Sequence, residues 1–424
     1  SIEEIGGGAF YWCANLASVK LGDGVVKIGD SAFAVCPKLV SVTIPSSVTE
    51  IGDLAFHKCT SLTSLALNNG LKKIGSYAFA GCSALVSITV PEGVTDIGDS
   101  AFFDCGRLKN VKLPETLVRV REGLFFKCTS LTGITLPEKL TAIGNWAFRD
   151  CKSLSAITVP DYVTEFGSQV FDGCPNLPAI AVLPRNPNYD AWEGVIFTRD
   201  MRVLVRYPEG KKGEYVIQDG VEIFEKGAFD NCTRLTGVTI PGTMKVLRGN
   251  SFLCCTSLSK VTIKPSNTLF SVHDDMIYSK DMLTLIGCFG DKRKTYTIPN
   301  CVKTIDDFAF ANCSRMTKIE IPDSVTKIGD SAFSGCTNLS FVTLSGNLSE
   351  VSARMFFGCK NLTSVSIPVN VNKIGKHAFE GCARLSQVSI PKHLTDIGPW
   401  AFDGCPWQPP QHSAIPSPEH SILG

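Results

Sequence analysis

The stretch LVSVTIPSSVTEIGDLAFHKC, residues 39–59, contains every position that recurs along this chain. It opens with alternating apolar and polar residues, continues through Pro45 and a second apolar segment from Val48, and ends in Ala-Phe-x-x-Cys. The alternation and the β-branched content predict a short strand whose Val42 and Ile44 face inward. Proline donates no backbone hydrogen bond, so we expect Pro45 to end that strand.

The same pattern returns every 23 residues. Fifteen cysteines mark it: Cys13, Cys36, Cys59, Cys82, Cys105, Cys128, Cys151, Cys174, Cys232, Cys255, Cys313, Cys336, Cys359, Cys382 and Cys405. A phenylalanine stands three residues before each of them, and a leucine usually stands three residues after. A unit this small cannot bury its own apolar face, so the period predicts stacked coils that bury these columns against one another.

Between the second apolar segment and the cysteine, the sequence predicts a bend and a helical turn. Gly52 is expected to let the chain bend after the second extended arm. Asp30 or Ser31 is expected to cap a helical turn that directs Phe33 and Cys36 inward. Five coils have another residue in the glycine column, so a positive φ cannot be required there: Arg121, Glu225, Arg248, Asp306 and Ser352.

The motif Leu-x-x-Val-x-Ile-Pro-x-x-Val-x-x-Ile-Gly-x-x-Ala-Phe-x-x-Cys resembles the BspA-like, or Treponema-type, leucine-rich repeat over about residues 2 to 405. This resemblance implies a right-handed, curved leucine-rich-repeat solenoid with a parallel inner sheet and short helical turns or extended arms on its convex side. It also implies a cell-surface or secreted protein that engages host or matrix proteins, and it implies no catalytic residues.

Two cysteine spacings of 58 residues depart from the simple pattern, and they align with each other without gaps. We interpret each as a long unit that carries an inserted β-hairpin, within 175–231 and 256–312, which brings the inner strands to about sixteen. The predicted organisation is a single solenoid over 1–405 and a proline-rich tail over 406–424. The first coil has no polar cap, so we expect further repeats before residue 1. Trp400 and Trp407 are expected to cover the last apolar layer.

Composition and residue spacing argue against several functions. A formal net charge of +1 gives no general attraction to nucleic acid. The chain has no run of eighteen apolar residues, so we expect no direct membrane insertion of this segment. One cysteine per coil, in register with the Phe column, favours a ladder of buried thiols over disulfides or metal sites. Cys254, Cys288 and Cys301 lie outside that column; a bridge between the last two is conceivable, although we expect free thiols. The six histidines form no cluster, so we expect no enzyme activity and no cofactor or metal.

Two surfaces are candidates for partner binding. On the inner sheet the outward positions are mostly Ser and Thr, and the candidate contacts are the residues that interrupt them: Lys112, Lys260, Lys318, Glu320 and Phe341. On the hairpins the candidates are aromatic: Tyr189, Trp192, Tyr207, Phe270 and Tyr278. The inner-sheet residues could equally be ordinary solvated strand residues, and the hairpin aromatics could equally pack against adjacent coils. Both interpretations of each set stay open.

Two functional hypotheses follow. The first is a non-catalytic adhesion or recognition protein at the cell surface or outside the cell that binds a protein, glycoprotein or polymer through an extended surface. The second is a cytoplasmic scaffold or a structural subunit of an assembly, because many unpaired thiols persist best in a reducing compartment.

Overall fold

The computed structural model describes residues 2–249, 251–290 and 292–409, and the chain divides into two compact units, Ser1–Lys212 and Gly213–Gly424. In each unit the coils stack as predicted, so the expected solenoid of short parallel strands is confirmed. Most coils contribute an inner strand, which in the regular repeats lies about five to seven residues after the ladder cysteine, and an arm strand eight to nine residues before the next ladder cysteine. Most of the predicted tail lies outside the described residues.

The strands of the first unit fall into three groups. The inner strands are Ser18–Lys20, Ser41–Thr43, Ser64–Ala66, Ser87–Thr89, Asn110–Lys112, Thr158–Val159 and Ala181–Val182. The arm strands are Glu4–Ile5, Lys27–Ile28, Glu50–Ile51, Lys73–Ile74, Asp96–Ile97, Arg119–Val120, Ala142–Ile143 and Glu165–Phe166. A three-stranded antiparallel meander comprises Tyr189–Trp192, Val195–Thr198 and Val203–Arg206.

The second unit repeats this organisation. Its inner strands are Gly213–Val216, Leu235–Ile240, Lys260–Ile263, Thr295–Thr297, Lys318–Glu320, Phe341–Thr343, Ser364–Ser366 and Gln387–Ser389. Its arm strands are Ile223–Phe224, Thr304–Ile305, Lys327–Ile328, Glu350–Val351, Lys373–Ile374 and Asp396–Ile397. Its meander comprises Phe270–His273, Met276–Ser279 and Thr284–Cys288.

Outside the meanders, paired strands are parallel and most lie one repeat apart in sequence, which places like residues over like residues. Val42 pairs with Leu65, and Ser41 pairs with Ser64. Of the predicted inner strands, the one in the coil after Cys128 is reduced to an isolated bridge between Gly133 and Ala156. Glycine and alanine are poor strand formers, which accounts for the loss of regular pairing there.

The Phe and Cys columns form the core. Within the first unit, consecutive rings from Phe10 to Phe171 stack with centroids 5.0–5.8 Å apart. From Phe310 to Phe402 in the second unit the spacing is 5.1–5.3 Å. Most ladder thiols donate a hydrogen bond to the carbonyl oxygen of the phenylalanine in the preceding coil, as Cys59 Sγ does to Phe33 at 3.1 Å. The thiol column therefore stacks the coils through hydrogen bonds as well as by packing.

The predicted helical turn is wrong, since the described residues contain no helix. Ser31 and Val35 both have positive φ, 56° and 58°, and a right-handed turn cannot include them. Between them, alternate N–H groups bond to the next coil: Phe33 donates to Ala55 at 2.8 Å, whereas Ala34 donates locally to Ser31 at 3.0 Å. The segment is therefore a chain of tight turns linked laterally to its neighbour, and hydrogen bonds between coils replace those of a helix.

Glycine in the recurring column serves close packing, and it does not supply the bend that we expected. Gly52 and Gly98 lack positive φ, and a Cβ atom on Gly98 would lie 2.3 Å from the backbone nitrogen of Ser76 in the preceding coil. Equivalent glycines in both units would place a Cβ at 2.4–2.8 Å from the corresponding nitrogen. The glycine N–H also bonds to the preceding coil, as Gly98 does to Ile74 at 2.8 Å. Only hydrogen fits at this point of contact.

At two positions where another residue stands in this column, pairing between arm strands is interrupted. Asp96–Ile97 and Arg119–Val120 belong to different ladders, and Arg121 stands in the column there. Lys327–Ile328 and Glu350–Val351 are likewise unpaired, at Ser352, whose hydroxyl takes the place of the backbone N–H in donating to Ile328. At Asp306, which follows a meander strand, the arm remains paired on both sides.

A buried asparagine precedes each meander and fixes its start. Asn186 is 1% exposed; its Nδ2 donates to the carbonyl oxygens of Pro160 and Val163 in the preceding coil, at 2.8 and 2.9 Å. Its Oδ1 accepts from the backbone N–H groups of Asn188 and Tyr189. Asn267 makes the equivalent bonds in the second unit. The amide thus supplies backbone partners where the coil leaves the regular repeat.

Of the two tryptophans expected to cover the last layer, one does so. The Trp407 ring packs edge-on against Phe402 with centroids 4.7 Å apart, and the backbone N–H of Trp407 donates to the carbonyl oxygen of Leu385 at 3.0 Å. Trp400 instead stacks on His377 at the surface and is 52% exposed. Trp400 stands at the turn position that has positive φ in most coils, and side chains at this position point away from the core.

Candidate functional site: the inner surface

The outward positions of the inner strands form an exposed polar surface in each unit. Along Ser41–Thr43 the burial alternates, with Val42 only 5% exposed and its two neighbours exposed. This alternation follows from the strand, because successive side chains point to opposite faces. Parallel pairing in register then aligns the exposed side chains into columns across the coils.

In the second unit three of the predicted contacts form one patch, the Lys318–Glu320–Phe341 patch. The Nζ of Lys318 lies 2.6 Å from Oε1 of Glu320 and 5.3 Å from the centroid of the Phe341 ring. Lys318 and Phe341 are register partners on adjacent strands, so the ladder itself brings them together. Phe341 is 45% exposed, at a repeat position where the other coils have small, polar or charged residues.

A shallow hollow of about 540 Å³ adjoins this patch. Thr295, Thr297 and Thr343 line it together with Lys318 and Glu320. The patch therefore combines an exposed aromatic ring, a cation, a carboxylate and a recess lined by hydroxyl groups. Aromatic and charged side chains beside a recess are typical of the residues that contribute most to protein–protein binding.

The other two predicted inner contacts lie apart from this patch. Lys260 Nζ is 3.8 Å from Glu214 Oε2 on a different ladder of the second unit. Lys112, in the first unit, lies 4.0 Å from Glu92 and borders a hollow of about 700 Å³. That hollow opens beside Gly133, where the regular pairing of inner strands is lost.

Three of the five hairpin aromatics are buried, which contradicts their assignment as contacts. Tyr207 and Tyr278 are fully buried, and Phe270 is 7% exposed. Their rings pack within the meanders because a three-stranded sheet on a solenoid has an apolar side to cover. Tyr189 is half-buried against Phe166, with ring centroids 5.8 Å apart. Only Trp192, 51% exposed, remains accessible among the five.

A buried ionic cluster beneath the first meander was not predicted. Arg206 Nη1 lies 2.8 Å from Asp172 Oδ1, and Arg206 Nη2 lies 3.1 Å from Glu209 Oε1. The same Glu209 oxygen accepts the N–H of Gly173 at 2.7 Å. All three charged side chains are buried, at 4–7% exposure. No local pattern announces this cluster, because more than thirty residues separate Asp172 from Arg206.

The single guanidinium of Arg206 pairs with two buried carboxylates in this cluster, and the pKa values of both carboxyl groups are raised. Burial raises the pKa of Glu209 to about 7, although Arg206 and the N–H of Gly173 act in the opposite direction. Burial also raises the pKa of Asp172. The cluster ties the meander to the coil of Cys174.

Comparison with known proteins identifies the family. The model of the "BspA type Leucine rich repeat region (6 copies)" matches residues 1–105, 51–178, 211–289 and 285–407. The chain belongs to the BspA-type leucine-rich-repeat family. This repeat is a general protein-binding fold, which agrees with the exposed inner surface described above.

Several solved bacterial proteins are similar to this BspA-type chain. A leucine-rich cell surface protein from Faecalibacterium prausnitzii is 27% identical, covering 92% of this chain and 86% of its own, with a TM-score of 0.46. A leucine-rich-repeat protein from Bacteroides ovatus is 26% identical over 96% and 80%, with a TM-score of 0.44. A leucine-rich-repeat protein from T. pallidum is 34% identical over 42% and 72%, with a TM-score of 0.35. None of the curated proteins matches the chain.

Over residues 2–249, 251–290 and 292–409, no three or more His, Cys, Asp or Glu side chains converge in a way that could hold a metal ion. Within those ranges there is also no helix with the length and apolar character needed to cross a membrane.

Proposed function

We propose that this BspA-type chain is a non-catalytic adhesion or recognition protein at the cell surface, which binds a protein, glycoprotein or polymer through its inner surface. The Lys318–Glu320–Phe341 patch is the observation that carries this proposal. A half-exposed phenylalanine on an otherwise hydroxylic sheet is costly in water, and a partner that covers it recovers that cost.

Charge and shape support the same assignment. Lys318 and Glu320 flank the ring with opposite charges, so a partner is oriented by both signs, and the adjacent hollow accommodates a protruding side chain. Lys260 extends the proposed surface to a further coil of the second unit, and Lys112 is a separate candidate contact on the inner surface of the first unit. A formal net charge of +1 gives nucleic acid no general attraction, so the proposed partner is recognised locally.

Trp192 is the second proposed contact. Its exposed indole lies on the first meander, which stands outside the regular repeat and is braced from below by the ionic cluster. A large aromatic ring on a rigid support binds at little entropic cost.

Adherence of coated beads tests the proposal. Beads carrying the full chain are applied to cultured animal cells and to their deposited matrix, and the bound beads are counted. We expect Lys318→Ala, Glu320→Ala and Phe341→Ala, combined, to reduce adherence at least tenfold, which corresponds to a loss of about 1.4 kcal/mol or more.

A second triple variant is the matched control. Lys373→Ala, Glu350→Ala and Phe357→Ala remove the same three residue types from elsewhere in the same unit, and Phe357 is comparably exposed at 38%. This variant should adhere like the original chain. Equal loss in both variants, or no adherence of the original chain above that of uncoated beads, would exclude the inner surface as the binding site.

A cytoplasmic scaffold is the second candidate, and one observation favours it. None of the eighteen cysteines, all of which lie in the described ranges, forms a disulfide, which is the usual state in a reducing compartment. Protease treatment of intact cells separates the two candidates, because a surface protein is degraded under conditions that leave cytoplasmic proteins intact.

A further inference from the structure

Three arms of the second unit have a charged residue where most coils have the close-contact glycine: Glu225, Arg248 and Asp306. A Cβ atom at the equivalent glycines would lie 2.3–2.9 Å from a backbone nitrogen of the preceding coil. Asp306 follows the meander and still donates its N–H to Leu285 at 2.9 Å, as a column glycine does. The side chain of Arg248 cannot occupy the close-contact position, so its coil cannot approach the arm of Glu225 as closely as glycine coils approach each other.

A cleft of about 600 Å³ opens at this place, lined by all three of these residues. Between the arms of Glu225 and Arg248, pairing is reduced to a single bridge that joins Ile223 and Val246, whereas the Thr304–Ile305 arm is paired on both sides. The N–H of Arg248 bonds to Ser251 Oγ at 2.9 Å, whereas a column glycine donates to the preceding coil. The substitution at Arg248 thus accounts for the missing backbone pairing beside the cleft.

Charges of both signs surround the cleft. Lys226 and Asp307 also line it. Asp307 Oδ1 accepts the N–H of Asp330 in the next coil at 2.8 Å, which leaves the carboxylates of Glu225 and Asp306 beside the cations of Arg248 and Lys226. Within the described part of the chain, none of these five groups has an oppositely charged partner within 4.0 Å. Elsewhere on this chain charged side chains commonly pair between coils, as Lys245 does with Glu222 at 2.8 Å.

Apolar side chains form the remaining wall. Ile223 and Phe308 are 39% and 37% exposed, and Phe224 and Val246 are half-buried beside them. A recess of this size with an apolar wall and a few polar groups has the general character of a small-molecule site.

We propose that this cleft binds a small zwitterion with an apolar side chain, of the amino-acid or short-peptide class. The guanidinium of Arg248 binds the carboxylate, since a planar guanidinium matches a carboxylate in shape and charge. The ammonium group lies against Asp306 and Glu225, and the apolar side chain lies on the Phe308 wall. A ligand of one sign would leave the opposite charges of the cleft unmatched, so the unpaired charges favour a ligand that carries both.

Isothermal titration with leucyl-leucine tests the proposal on the full chain. We expect saturable binding, and we expect N-acetyl-leucyl-leucine and leucyl-leucinamide, which each lack one charge, to bind about tenfold more weakly. Titration with free leucine distinguishes an amino-acid site from a peptide site: whichever probe binds more tightly identifies the source. No saturable binding of either zwitterion up to roughly 10 mM would overturn the proposal.

Two variants assign the charges. Arg248→Gln should weaken the dipeptide about tenfold and leave the amide, which has no carboxylate, unchanged. Asp306→Asn retains an oxygen that can accept the N–H of Asp307, as Asp306 Oδ1 does at 2.9 Å. This variant should also weaken binding of the dipeptide, but it should leave the affinity for the N-acetyl compound, which has no ammonium group, unchanged. Arg354→Gln and Asp396→Asn, which lie outside the cleft, should bind like the original chain. A variant that weakens charged and blocked probes equally contradicts the assignment; should one variant fail to fold, the other still decides it.

Discussion

The thiol of Cys59 donates a hydrogen bond to the backbone carbonyl of Phe33, 3.1 Å away and 26 residues earlier in the chain. The same pair recurs through most coils of both units, at 3.0–3.2 Å. A small, weakly polar donor satisfies a buried carbonyl without the cost of burying a hydroxyl group. This relationship explains why cysteine occupies the column.

Replacing one ladder cysteine should destabilise the fold measurably. Cys59→Ala removes both the sulfur atom and the donor, so we expect a loss of about 2 kcal/mol in the free energy of unfolding by urea. Cys301→Ala is the control; Cys301 is exposed, and its loss should stay within about 0.5 kcal/mol. Equal effects at the two positions would contradict a structural role for the column.

The close-contact glycines should tolerate no side chain. In Gly98→Ala the new Cβ would lie 2.3 Å from Ser76 N, so adjacent coils must separate, at a cost of about 2 kcal/mol or more. Gly22→Ala is the matched control, because no atom lies within 4 Å of its Cβ. Chemical denaturation of the two variants measures the difference; similar midpoints would show that the column does not limit the approach of coils.

Asn186 should be indispensable to the first meander. Asn186→Ala removes two bonds to carbonyl oxygens and two from N–H groups and leaves those buried groups unpaired, so we expect a loss of about 3 kcal/mol. Asn188→Ala, at an exposed neighbour, should cost far less. Hydrogen exchange of residues 189–206 localises the effect, and unchanged protection there would refute it.

The buried cluster gives stability a defined pH dependence. The pKa of Glu209 is raised to about 7 from an ordinary 4.5, so the folded state holds a proton that the unfolded state releases. The contribution of this protonated carboxyl group to the free energy of unfolding is therefore fully present below pH 4.5 and is lost as the pH rises through 7. Between pH 5 and 8 we expect this site to lower stability by an amount on the order of 2 kcal/mol.

Glu209→Gln isolates that dependence. The amide keeps an oxygen for Gly173 and Arg206 but does not titrate, so the thermal midpoint of this variant should change less than that of the original chain between pH 5 and 8. Glu193→Gln, at an exposed site of the same unit, should leave the original slope. A steeper slope in Glu209→Gln would show that the sign is wrong.

The repeat columns predicted most of the fold because each apolar position faces its own copy 23 residues away. The turn segment before Phe33 was predicted wrongly as helical. Its spacing of Phe and Cys suits a helix, but left-handed φ at Ser31 and Val35 is compatible with the same inward positions, and the hydrogen bonds between coils decide the outcome. Such lateral bonds leave no local signature in the sequence.

The candidate sites were predicted less completely. Lys318 and Phe341 meet because register follows from the period, so the sequence could place them together. Tyr207 is buried because of the way the meander folds over its coil. The 23-residue repeat pattern carries no information about that arrangement, so it could not predict the burial. The sequence shows charged residues in the glycine column beside the cleft. The cleft could not be predicted from them, because the sequence suggested that this glycine allows a bend, whereas in the structure it allows close contact between coils.

One thiol count tests the central claim most directly, namely that stacked coils bury a column of unbridged thiols. Fourteen cysteines are buried, three are half-buried and only Cys301 is exposed, while burial raises the pKa of Cys59 to about 12, so its reactive thiolate is scarce. We predict that all eighteen react with a thiol reagent after denaturation without reductant, and that no more than four react natively. Cysteines that stay blocked until a reductant is added, or a ladder that reacts fully in the native state, would contradict the account.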